Sequence, residues 1–194
     1  MTQFTPKTFT IPALKGISAK NIEEHMKLYT GYVKHANLIL SQVQELKKDA
    51  EKNAYALGEV NRRFGFEYNG MRNHEVYFES LEGGAQAVGA DSALSQKIIA
   101  TWGSFDAWLA EFKAIAMTRG IGWAMLYHDR KADVLLNAWI DEQHFGQLQD
   151  CTLVLALDMW EHSFVADYQP SGKKQYVEDF FANLNWKNVE KNFK

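Results

Sequence analysis

Between residues 22 and 46 the apolar and aromatic side chains recur at alternating steps of three and four: Ile22, His25, Tyr29, Tyr32, Ala36, Ile39, Val43 and Leu46. That spacing places all eight on one face of a single long helix, with a Lys- and Glu-rich face opposite. Ser18 stands where a helix cap belongs. A helix of this length with one apolar stripe must bury that stripe against a second element. His25 lies on the buried side. A lone histidine there is most simply a hydrogen-bonded core residue.

The second element is signalled by Phe64, Met71, His74, Phe78 and Leu81, with Glu67 where one apolar residue is missing. Gly65 and Gly70 weaken the early part, so the helix is expected to begin near Phe66. The polar stretch 47–61 before it reads as a helix end, a loop or a short helix. Two amphipathic helices joined this way form an antiparallel hairpin, and His74 again falls on the apolar face. Two histidines facing each other across a hairpin suggest a metal more strongly than one does. Ahead of the hairpin, residues 1–16 carry two of the three prolines and read as an extended arm, with Phe4, Phe9, Ile11 and Leu14 packing on the body.

Gly83, Gly84 and Gly89 end the hairpin, dividing the chain into 1–84 and 85–194. Two short helical patterns follow. One runs through Leu94, Ile98 and Ile99, and one is opened by Ser104 and runs through Phe105, Trp108, Leu109, Phe112, Ile115 and Ala116. The period then changes. Runs 122–127 and 134–140, separated by a polar turn at 128–133, and the run 153–157 read as three strands of one antiparallel sheet. Residues 176–181 read as a closing helix, with Asn185-Trp186 a packed end. The fold class is α+β: a helical hairpin, then a subdomain with a three-stranded antiparallel sheet.

The strand 153–157 delivers Asp158 at its carboxyl end, where a helix or turn begins, and His162 follows four residues later. A buried Asp bonded to backbone or to a histidine would account for this. So would a metal site, because a carboxylate and imidazoles converging on one point suit a transition metal with mixed N/O preference. The candidate constellation is His25, His74, Asp158 and His162, at the junction of the two halves. Its donors suit Fe, Mn, Co or Zn. The single cysteine, Cys151, excludes a cysteine-based structural zinc site and an internal disulfide framework. Spacing alone leaves open a redox enzyme or a metallohydrolase.

Composition narrows the partners. Across 194 residues the net charge is −3, with no Lys/Arg cluster of the kind nucleic acid requires. No apolar run is long enough to span a bilayer, and the N-terminus lacks a signal-peptide pattern. A cytoplasmic protein is expected. His35 and His128 read as surface residues, and Cys151 as buried beside the third strand.

At the constellation the chain resembles the iron/manganese superoxide dismutase family. Asp158-Met159-Trp160-Glu161-His162 is close to that family's D-x-W-E-H signature. Residues 17–25 resemble the segment carrying its first histidine ligand, and Asn73-His74 the segment carrying its second. Gly120-Ile121-Gly122-Trp123 resembles its G-x-G-W strand start, and Asn185-Trp186 its closing N-W. The resemblance spans nearly the whole chain, in order. It implies disproportionation of superoxide at one Mn or Fe ion per subunit, with His25, His74, Asp158 and His162 as ligands. It further implies an outer-shell tyrosine, falling on Tyr32, and an outer-shell glutamine or histidine, falling on Gln143 or its neighbour His144. Gly70, standing where many iron enzymes carry a glutamine, and Gln143 together tip the expectation to Mn. The family's cross-subunit Glu–His link would fall on Glu161 and His162 in a homodimer.

The chain also departs from the family. Where relatives have two adjacent histidines after the first ligand, this chain has Tyr29-Thr30, and Tyr32 comes one residue early. A one-residue helical bulge of relatives is therefore expected to be absent. The second tyrosine after D-x-W-E-H is Val165, so the family's His–Tyr gateway across the dimer is missing, with Tyr29 expected to fill part of the gap. Phe78 and Met125 replace tryptophans, leaving an aromatic pocket of Trp123, Trp160, Phe78 and Tyr77. The rivals are a redox-silent metallohydrolase and a non-catalytic metal-binding relative.

Overall fold

The structure is a computed structural model and describes residues 3–193. Two long antiparallel helices come first: α1, Ala19–Leu46, and α2, Ala54–Leu81, joined by a 3₁₀ turn at Lys47–Asp49. Ser18 caps α1, its hydroxyl accepting from Asn21 N–H at 3.1 Å. Ile22, His25, Tyr29, Ala36, Ile39 and Val43 of the stripe are buried, as the periodicity requires. The helix is an uninterrupted α-helix, with no bulge after His25.

The second helix starts at Ala54, about three turns before the expected Phe66. Those turns are largely exposed except for Leu57, Val60 and Phe64, half-buried residues that extend the stripe backwards at the same steps of three and four. Local pairs add to this, Arg62 to Glu59 at 2.6 Å and Arg63 to Glu67 at 2.9 Å. Gly70 has a packing function within the helix. A Cβ there would lie 2.5, 2.7 and 2.9 Å from carbons of the Tyr32 ring, so α1 and α2 can approach this closely only with hydrogen at that position.

The N-terminal arm lies along the hairpin. Asn37 clasps the backbone of Phe4 at both ends of its amide, at 2.8 Å each. Phe9 is buried, and Phe4, Ile11 and Leu14 pack against the core.

Helices α3, Ala93–Trp102, and α4, Phe105–Ala116, are capped by Ser92 and Ser104. The sheet consists of β1, Gly122–Asp129, β2, Val134–Asp141, and β3, Cys151–Asp158, all antiparallel, with β1 central in the order β2-β1-β3. The register sets Trp123 of β1 opposite Asp158 of β3, and Val154 is the extra residue of a bulge beside Leu126. At Gly122 a side chain would run into the carbonyl oxygen of Ile140, so the strand start admits none.

Strand β1 runs two residues further than its apolar run. His128 is therefore in the strand and buried, contrary to its expected surface position, with Nε2 3.1 Å from Asp133 and its ring against Phe193 at 4.6 Å. An alternating polar residue at a strand end is covered here by the C-terminus, which sequence order does not reveal. His35 is exposed as expected, and Cys151 is half-buried at the start of β3 rather than buried. After Asp158 the chain takes the turning alternative, a loop with two 3₁₀ turns, Glu161–Ser163 and Pro170–Gly172. Helix α5, Lys173–Asn183, closes the fold. A further short helix, α6, Trp186–Asn192, carries the closing Trp186 into the core. Among the described residues, no helix is long and apolar enough to cross a membrane.

Candidate metal centre

Four elements bring one side chain each to a common point. His25 comes from the second turn of α1 and His74 from α2. Asp158 is the last residue of β3, and His162 sits in the 3₁₀ turn. One donor atom from each lies within 4.8 Å of the others. The three imidazole Nε2 atoms surround a single carboxylate oxygen, Asp158 Oδ2, at 3.0 Å for His25, 3.5 Å for His74 and 3.2 Å for His162. The other carboxylate oxygen accepts from Trp160 N–H at 2.9 Å, which fixes the plane of the group.

His25, His74 and Asp158 are in the chemical state that a metal ligand needs. His74 Nδ1 donates to the carbonyl of Gly70, one turn earlier, at 2.6 Å. Its proton is thereby placed on Nδ1, and the Nε2 lone pair faces the cluster without a hydrogen-bond partner. Burial, and then the neighbouring His25, lower the pKa of His74 to about 3. Burial likewise pushes His25 down. Burial alone would raise Asp158, but His162 and His25 hold it well below the usual carboxylate range. Neutral imidazoles and an anionic carboxylate are what a metal binds. A buried nitrogen of this kind, aimed at a carboxylate and two more nitrogens, fits a cation with mixed N/O preference.

Aromatic rings wall the cluster. Tyr77 and Phe78 pack on His25 at 4.9 and 5.0 Å, Trp123 on His74 at 5.0 Å, and Trp160 stacks on His162 at 5.6 Å. The Tyr77 hydroxyl lies 3.2 Å from that of Tyr176.

A second layer lies beyond His74. The Tyr32 ring is 5.0 Å from the His74 ring. Gln143 is fully buried, and its Nε2 donates to Tyr32 Oη at 3.0 Å. Trp123 Nε1 donates to Gln143 Oε1 at 3.0 Å, and Asn73 Nδ2 to the Gln143 carbonyl at 3.0 Å. Gln143 thus joins both halves of the chain. His144 turns elsewhere, its ring 4.0 Å from Phe145 and 5.7 Å from Phe66. Burial, with the Asp158 charge adding, raises the Tyr32 phenol well above its ordinary value. The donor roles of Trp123 and Asn73 escaped the sequence reading. The signal available was a buried indole and amide flanking the ligand motifs, groups that must find partners.

Tyr29 does not face the surface left by the missing gateway. It is buried beneath the N-terminal arm, accepting from Lys7 N–H at 2.8 Å and donating to Glu75 at 3.2 Å. Without the helical bulge, Tyr29 falls on the α1 face that the arm covers. Glu161 and Val165 are exposed, and His162 is partly so. A recess of about 330 Å³ opens beside Tyr32, rimmed by Lys27, Arg63, Phe66 and Trp160.

A helical hairpin closing three histidines and an aspartate against an antiparallel sheet defines a protein with an N/O donor set suited to a transition metal. Residues 90–192 match the family described as iron/manganese superoxide dismutases, C-terminal domain. The chain is 36% identical over 183 residues to a superoxide dismutase [Fe] of Cupriavidus metallidurans, covering 93% of this chain and 90% of that one. It is 33% identical over 172 residues to a superoxide dismutase [Mn] of Mycobacterium intracellulare, covering 87% and 80%. It is 29% identical over 202 residues to a superoxide dismutase [Fe] of Pyrobaculum aerophilum, covering 96% and 92%. The chain belongs to the iron/manganese superoxide dismutase family.

Proposed function

We propose that the protein disproportionates superoxide, 2 O₂⁻ + 2 H⁺ giving O₂ and H₂O₂, at one Mn or Fe ion held by His25, His74, Asp158 and His162. The observation that carries this reading is the convergence of the four donor atoms within 4.8 Å. Residues 1–84 contribute two of these ligands and residues 85–194 the other two, so the two halves meet at the ion. When bound, the metal supplies a one-electron couple that oxidises one superoxide and reduces the next.

The chain's own groups handle the anion and the protons. Lys27 and Arg63 line the recess an anion would enter, paired with Glu23 and Glu24 and with Glu67 respectively. Gln143 donates to Tyr32 Oη, so the Tyr32 hydroxyl hydrogen is left to point away from Gln143. The raised phenol keeps that proton at neutral pH. Trp123 and Asn73 hold Gln143 in place. Tyr32 and Gln143, rather than His144, are therefore assigned to the proton relay.

Mn is the preferred ion in this reading. Gln143 fills the space beside Tyr32, and Gly70 brings no side chain there. The reading includes a cytoplasmic homodimer in which Glu161 of each subunit meets His162 of the other. Neighbouring side chains diverge, so a two-fold axis supplies the carboxylate that a ligand histidine's free N–H ordinarily takes. Metal analysis of the purified protein, with superoxide decay followed for Mn- and Fe-loaded samples, tests the assignment. Rapid decay with either ion is expected. Tight zinc binding with no superoxide removal by any form would overturn it.

A further inference from the structure

His25 and His74 face the same carboxylate but are held differently. His74 gives its Nδ1 proton to a carbonyl one turn back. His25, fully buried, has no hydrogen-bond partner at Nδ1. The rings packed on it are those of His74, Tyr77, Phe78 and His162, and the Tyr77 hydroxyl is engaged with Tyr176. One turn back from His25 is Asn21. Its side chain is 1% exposed, and neither its Oδ1 nor its Nδ2 has a partner. Residues four apart on a helix have Cβ atoms about 5–6 Å apart. Two hydrogen bonds through one water span such a gap. Buried water typically makes about three hydrogen bonds to otherwise unsatisfied groups, and Asn21 Oδ1, Asn21 Nδ2 and His25 Nδ1 are three such atoms. An asparagine left unpaired in a core would be a liability, because an unsatisfied buried amide costs stability.

We propose that Asn21 is the positioning residue for His25: through one buried water its amide takes the His25 Nδ1 proton and turns the Nε2 lone pair to Asp158 and the metal. This rests on the reading of His25 as a metal ligand. Asn21 touches neither substrate nor ion, and its effect passes through the tautomer and orientation of the ring.

The test uses the full-length chain, wild type and two variants. Asn21→Leu keeps the heavy-atom count and branching, with somewhat greater bulk and no polar atoms, and Asn21→Asp keeps an acceptor. With Zn²⁺ as a diamagnetic probe, solvent exchange of the His25 Nδ1 proton is followed by NMR. Affinity is measured for Zn²⁺, and the midpoint potential is measured for the Fe-loaded protein. In Asn21→Leu the Nδ1 proton should exchange at least about tenfold faster and affinity should fall roughly 10- to 100-fold. The metal-free melting temperature should fall as well, because the buried His25 Nδ1 loses its partner. Asn21→Asp should keep the proton protected and lower the Fe potential, since an anionic acceptor makes His25 a stronger donor. A purely structural Asn21 would lower the melting temperature of Asn21→Leu and leave proton exchange, affinity and potential unmoved, which overturns the proposal. If Asn21→Leu does not fold, an Asn21→Asp protein with wild-type potential overturns it instead. A wild-type chain that takes up no metal removes the ligand reading, and this inference with it.

Discussion

Gly70→Ala tests how the second layer is built. The added methyl would sit 2.5–2.9 Å from three carbons of the Tyr32 ring, against about 3.5–4.0 Å for ordinary carbon contact. The ring must therefore retreat by about 1 Å, and the recess beside it gives it somewhere to go. The Gln143–Tyr32 hydrogen bond, now 3.0 Å, would open beyond bonding range. Overpacking of this kind costs about 1–3 kcal/mol and the lost bond about 1 kcal/mol. Replacing glycine by alanine in a helix returns about 1 kcal/mol. The net destabilisation is thus about 1–3 kcal/mol. Metal should stay, because the group that orients His74 is the Gly70 carbonyl, which the substitution leaves in place. Turnover should fall about tenfold, the effect of losing roughly 1.4 kcal/mol from the reaction barrier. Denaturant unfolding, metal analysis and stopped-flow superoxide decay measure the three quantities separately. Full turnover with Tyr32 displaced would refute the relay. Loss of metal with Tyr32 in place would refute the account of His74.

His74→Ala or His162→Ala should strip the ion, since each removes one of four protein donors; near-normal occupancy by metal analysis in either variant counts against the ligand set. Gln143→Ala should keep the ion while cutting turnover roughly 10- to 100-fold, and leaving the buried Trp123 N–H unpaired should cost about 1–3 kcal/mol on denaturant unfolding. His144→Ala should do less to turnover, and the reverse order would exchange the roles of the two residues. Glu161→Ala should loosen the dimer and lower metal retention together, as read by sedimentation at micromolar concentration with metal analysis. A strictly monomeric wild type with full metal content contradicts that arrangement.

Local periodicity and capping made most of the architecture legible. The three-four stripe of α1 has one helical solution, and Ser18 and Ser104 mark helix starts because a hydroxyl there satisfies an orphan backbone N–H, as the unread Ser92 also does. The apolar runs of β1, β2 and β3 read as strands because residues buried in a sheet show a period unlike that of a helix. The start of α2 was written in the sequence but obscured by Gly58, Gly65 and the polar residues between: Leu57, Val60 and Phe64 continue the three-four stripe back to the first turns. The placement of Tyr29 under the arm, and of His128 against Phe193, depends on which distant segment covers each face. The candidate ligands could be nominated from residue type and spacing along three elements. Their convergence on one oxygen of Asp158 is a tertiary fact, set by the α1–α2 crossing and by the strand register that puts Trp123 beside Asp158. Gln143 and His144 are equivalent in a sequence, one residue apart in a loop. Only the folded chain sends one to Tyr32 and Trp123 and the other against Phe66 and Phe145, because successive side chains diverge and the buried indole of Trp123 must have its acceptor.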